Sequence, residues 1–141
     1  MGIYSLISNT NNMKKLKIGL VAVNNKNEVL LIKENLERIN KDIYNLPTVD
    51  TNYLDENSII NEFNKKYNLK IDKLYGYVNE VKILDDKCDI VEQINLYAKI
   101  NDNMYDFDNN VLKDLYAIEE DEQISEILKN TLEIFMYNEN V

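Results

Sequence analysis

The chain has 141 residues, a formal net charge of −9, 45% hydrophobic and 29% charged residues, one cysteine and no histidine. That length suits one domain, taken as residues 1–141 with 1–15 as an N-terminal extension, and can bury a core without disulfide staples. The absent histidines exclude Cys–His and Ser–His nucleophiles and Cys/His zinc sites, so any metal needs oxygen ligands, while the acidic balance argues against broad nucleic-acid binding.

No apolar run approaches the about 20 residues of a membrane span. The opening MGIYSLISNTNNMKK lacks a basic stretch ahead of its apolar residues, so neither a signal peptide nor a membrane partner is expected, and a cytoplasmic location is the default. LKIGLVAV (Leu16 to Val23) and EVLLIKE (Glu28 to Glu34) are apolar runs rich in β-branched residues, joined by the turn-forming NNKN. They predict a hairpin whose strands are buried on both faces. Asn35 to Tyr44 is polar and reads as a loop, and YNLP as a short extended piece stopped by Pro47.

The spacing next predicts a helix over Asp55 to Tyr67, with Asp55 as N-cap. Ile59, Ile60, Phe63 and Tyr67 fall on one arc, and Asn61, Glu62, Lys65 and Lys66 on the other. Asn68 stands where a left-handed residue ends a helix. KLYGYVNEVKIL and IVEQINLYAKI read as two long strands joined by DDKCD, with Cys88 a small strand residue rather than a reactive thiol. VLKDLYAI reads as a last short strand. DEQISEILKNTLEIFMY closes as a helix with Ile124, Ile127, Leu128 and Phe135 on its apolar stripe. The order β-β-(short β)-α-β-β-β-α implies an α+β fold, a mixed β-sheet with flanking helices.

From Lys17 to Tyr137 the sequence resembles the Nudix hydrolases, whose motif is G-x5-E-x7-R-E-U-x-E-E-x-G-U with U aliphatic. The hairpin, the LP pair at Leu46 and Pro47, and NEFNKKYNL at Asn61 to Leu69 carry the resemblance. It implies a Nudix-like α/β/α sandwich. Glu62 falls on a motif glutamate, Phe63 on the apolar position and Leu69 on the final aliphatic one. Asn61 stands in place of the arginine, Asn68 of the glycine, and Thr48 and Val49 of two glycines after LP. Lys65 and Lys66 replace the paired glutamates that bind metal in that family.

Metal-assisted pyrophosphate hydrolysis needs clustered carboxylates. A divalent cation about 4 Å from one ammonium is repelled by roughly 8 kcal/mol at an effective dielectric of about 20. The sequence therefore points away from an active hydrolase and toward a catalytically degenerate binding or interaction module. Its cleft would take a nucleotide-like or phosphorylated ligand through Lys65, Lys66, Glu62 and Asn61, with no cofactor and no metal. One alternative is an active nucleoside diphosphate-derivative hydrolase using Mg²⁺ at a rearranged site drawn from Asp55, Asp85, Asp86, Asp89 and Glu119 to Glu122. Another is a protein-interaction partner without a small-molecule ligand, a homodimer among its forms. Each feature also has a plainer account. Glu62 and Lys66 form an i,i+4 pair on a solvated face, Glu120 to Glu122 suit a first helical turn, and the tyrosines (Tyr44, Tyr75, Tyr77 and Tyr97 being the cleft candidates) suit a core or a sheet surface.

Overall fold

The structure, a computed structural model, describes residues 16–52, 55–84, 87–101 and 109–141. Its strands are β1 (Leu16–Val23), β2 (Glu28–Leu36), β3 (Lys41–Asn45), β4 (Thr48–Thr51), β5 (Gly76–Leu84), β6 (Ile90–Lys99) and β7 (Asn110–Asp114). Helix α1 (Glu56–Tyr67) lies between β4 and β5. A 3-10 helix (Leu115–Glu120) and α2 (Glu126–Glu139) follow β7. The sheet runs β3-β2-β1-β6-β5, with β4 also on β1 and β7 also on β2.

The first two strands are joined by a tight turn at which Asn24 accepts from the Lys26 and Glu28 amides through its side chain, and Asn27 takes φ 58°. Beyond it they separate. The β1–β2 register is the single pair Val23 with Val29, after which β1 pairs with β4 and, in parallel, with β6. β2 pairs instead with β7 and β3. The chain passes between the two diverging strand sets at Leu46–Pro47, where the Pro47 carbonyl accepts from the Leu20 amide at 3.0 Å. Proline suits this corner because it brings no N–H that would need a partner.

β1 is buried along nearly its whole length, as its near-continuous apolar sequence predicts. Its alternate residues feed two cores. Ile18, Leu20 and Ala22 meet Ile59, Ile60 and Phe63 of α1, whereas Val21 and Val23 meet Leu128, Leu132 and Phe135 of α2. The result is a helix–sheet–helix sandwich. Full burial of one such side chain contributes about 1.5–3 kcal/mol, so the two helices are held chiefly by these faces.

Several expectations change. Asn35 to Tyr44 is not a loop, because β2 runs on to Leu36 and pairs with β3 in a second hairpin with Asn40 at φ 47°. Its half-exposed, polar strands hid the ladder from a hydrophobicity pattern. Thr48–Thr51 forms a strand that was not foreseen. Only the first part of VLKDLYAI is extended, since Asp114 caps a 3-10 helix by accepting from Tyr116 N. α2 starts at Glu126, five residues later than DEQ suggested, behind its Ser125 cap. Ile127 leaves the apolar stripe and is half exposed. Cys88 is not in a strand but in the β5–β6 turn, exposed at φ 64°.

Candidate functional site

Helix α1 is built as its sequence implies. The Asp55 carboxylate accepts from Ser58 N at 2.7 Å, and Asn68 takes the left-handed conformation with its amide on the Asn64 carbonyl. The Asn64 side chain then clamps the exit loop, exchanging two hydrogen bonds with the Ile71 main chain at 2.8 and 3.1 Å. On the outer face Asn61, Lys65 and Lys66 are exposed and Glu62 is half-buried. Lys66 Nζ donates to the Thr48 carbonyl at 2.8 Å. The Tyr67 hydroxyl lies against the same residue, donating to its carbonyl at 2.7 Å and accepting from its amide at 2.9 Å. The C-terminal turn of α1 is thus tied to β4, with one ammonium directly on the main chain that follows LP.

Thr48 is also a wall of a cavity of about 700 Å³, which opens where β1 and β2 have diverged. β1 contributes Lys17, β4 Thr48 and Asp50, β5 Val81 and Ile83, and β6 Gln93 and Asn95. The opposite side carries Glu34, Asn45 and Leu46, together with Ser125, Leu128 and Thr131 of α2. Asn61, Glu62, Lys65 and Lys66 do not line it. Lys66 reaches it through Thr48. Lys17 lies 3.9 Å from Asp50 on the cavity wall.

The cavity floor is polar where a sheet face is usually apolar. In the parallel register Lys17 lies beside Gln93 and Gly19 beside Asn95, and in the antiparallel one Asn79 lies beside Asn95. Gln93 Nε2 donates to Asn95 Oδ1 at 2.8 Å, Asn95 Nδ2 to Asn79 Oδ1 at 3.0 Å, and Asn79 Nδ2 to Thr131 Oγ1 at 3.1 Å. Gln93, Asn95 and Thr131 are buried. A methyl group at position 19 would overlap Asn95 Oδ1 and Gln93 Nε2, so glycine makes the room for these amides. Sequence reading missed this set. Its signal was a lone glycine within an apolar strand, which marks a close approach.

The other acidic candidates scatter. Asp55 serves as a cap, and its hydrogen bonds from Ser58 hold its carboxyl below the ordinary range. Glu119 and Glu120 belong to the 3-10 helix rather than to the first turn of α2, and Asp121 pairs with Lys113 at 3.2 Å. A hydrogen bond that the protonated Glu133 carboxyl donates to Glu119, together with the negative charge there, raises Glu133 above its ordinary value. Asp89 is exposed, and Asp85 and Asp86 lie outside the described residues. Among the described residues no three acidic or cysteine side chains gather as a metal site. The Tyr75 and Tyr97 ring centres lie 5.6 Å apart with the rings tilted by 44°, and Lys73 and Lys99 each lie 4.6 Å from the Tyr75 ring centre. Tyr44 packs under Lys113 and Tyr77 is partly exposed, and none of the four tyrosines lines the cavity.

No protein-family model matches the sequence, and no curated protein matches it by sequence. Solved structures do match its fold. The MutT protein from Methanosarcina mazei Go1 superposes with a TM-score of 0.69 at 16% identity, over 90% of this chain and 96% of that one. The Ap4A hydrolase of C. elegans gives 0.63 at 17% identity, over 89% and 98%. A NUDIX-family hydrolase from Clostridium perfringens gives 0.61 at 13%, over 85% and 97%. Among the described residues no helix is long and apolar enough to cross a membrane. With a mixed sheet between two helices and these solved counterparts, the chain has a Nudix-like fold.

Proposed function

We propose that this Nudix-fold protein binds a nucleotide-like or phosphorylated ligand without metal-dependent hydrolysis. The observation that carries the reading is the Lys66 ammonium on the Thr48 carbonyl. At a position where the Nudix motif has a metal-binding glutamate, this chain places its own cation, fixed between the helix and the strand after LP. Lys65, exposed on the same turn, adds a second positive charge. In this reading the two ammonium groups take over the electrostatic role of the metal toward phosphate, and the organic part of the ligand occupies the adjoining cavity. Glu62 alone is a poor ligand set for a divalent ion, which wants several oxygen donors.

Thermal-shift and hydrolysis assays with a panel of nucleoside mono-, di- and triphosphates, with and without Mg²⁺, test this. The expected result is stabilisation by at least one nucleotide, unchanged by chelation, and no turnover. Robust Mg²⁺-dependent hydrolysis that disappears in Glu62→Gln would overturn it in favour of an active hydrolase.

A further inference from the structure

The amides on the cavity floor have a direction, and one hydroxyl sets it. Thr131 Oγ1 donates its only proton to the Ile127 carbonyl at 3.2 Å, and a carbonyl can only accept. The Thr131 oxygen must therefore accept from Asn79, which turns the NH₂ of Asn79 toward Thr131 and its oxygen toward Asn95. Asn95 is oriented in turn, and its oxygen takes the proton of Gln93 Nε2. The relay leaves Gln93 Oε1 as its open end. That oxygen belongs to a cavity-lining residue only 7% exposed, and it has no hydrogen-bond partner among the described residues. A buried acceptor without a partner is costly, so the site favours a molecule that brings a donor.

We infer that this cavity selects its ligand by a hydrogen-bond donor, with the Gln93 carbonyl as the specificity-determining group and the ring N–H of a planar heterocycle as the group it reads. The apolar side chains beside Gln93 suit the faces of a flat ring. Val81 and Ile83 extend the sheet surface beside Gln93, and Leu128 of α2 faces it, so an in-plane N–H can meet the amide oxygen while the ring faces touch carbon. Gly19 is a positioning residue, since a side chain there would displace both Gln93 and Asn95. The inference deepens the ligand-binding reading of the same site, but it does not require that the ligand be a nucleotide.

The test uses 2-pyridone, a planar lactam with one N–H, and N-methyl-2-pyridone, which lacks it. Each is titrated to millimolar concentration into the ¹⁵N-labelled chain while the side-chain amide signals of Gln93, Asn95 and Asn79 are followed by NMR. The lactam is expected to shift these signals saturably and to bind at least about tenfold more tightly than its N-methyl analogue, the usual penalty for leaving a recognition group unpaired. Gln93→Met, which keeps the side-chain length but removes the amide, should bind both fragments alike. Thr131→Val frees the relay to reverse and should also narrow the difference, giving a second reading if Gln93→Met fails to fold. Equal binding of the two fragments to the unmodified chain, or no saturable shift with either, overturns the inference. If the lactam binds selectively while no nucleotide in the panel does, the donor filter stands and the nucleotide reading falls.

Discussion

Lys66 does two things through one hydrogen bond, closing the turn of α1 onto β4 and holding a positive charge beside the cavity wall. Its electrostatic contribution can be separated from its structural one. In Lys65→Gln with Lys66→Gln, affinity for a phosphorylated ligand is expected to fall by about 1–3 kcal/mol, the strength of hydrogen bonds to charged groups. Folding stability should change by less than about 1 kcal/mol, because exposed polar pairs are weak. Binding should also weaken as salt rises, since charges lose reach beyond about 8 Å at physiological ionic strength. Calorimetric titration at two salt concentrations and a melting curve check all three, and an affinity indifferent to both salt and substitution would place the ligand elsewhere. At this scale the sequence was half legible. NEFNKKYNL announced the charge reversal because the spacing of a helix is local. The Gln93–Asn95–Asn79–Thr131 relay was hidden because its members come together only through strand register and the packing of α2.

The elements were easier to read than their edges. Asp55, Asn68 and the arc Ile59–Ile60–Phe63 were all legible, since capping and amphipathic periodicity act within a few residues. The β2–β3 hairpin was not, as its strands are half exposed and lack the apolar alternation that marks a ladder. The cap of α1 gives a pH-dependent test. Hydrogen bonds from Ser58 hold the Asp55 carboxyl below its ordinary value of 3.8. A depressed folded-state value means that the ionised cap stabilises fully above the unfolded value and is lost as pH falls through the folded one. Asn caps nearly as well without titrating. The melting temperature of the native chain, compared with that of Asp55→Asn, is therefore expected to hold a constant offset above about pH 5 and to drop relative to the variant below about pH 4. Parallel melting curves across that range are the check, and an offset independent of pH would show that the cap is carried by something other than the carboxylate.

For the whole molecule, the decisive feature is the early parting of β1 and β2. The sequence promised a simple hairpin from two apolar runs and a turn, and the turn does form. What no local pattern could show is that each strand then prefers other partners, and that the opening between them is the cavity. The same choice of partners sets a timetable. The central neighbour of β1 is β6, joined in parallel from Lys17 beside Gln93 to Val23 beside Lys99, so the most apolar strand of the chain waits for a partner far downstream. Such non-local pairing closes a long loop before it is rewarded and belongs with topologies that fold slowly, in milliseconds to seconds. During synthesis LKIGLVAV would leave the ribosome with β2 touching it at one pair and one whole edge open, a template for pairing with another chain. A chain ending at Asp89, before β6, is accordingly expected to aggregate, whereas one extended through Lys99 stays in solution longer. Light scattering of the two fragments, diluted from denaturant, would measure how long this strand stays exposed before its partner arrives.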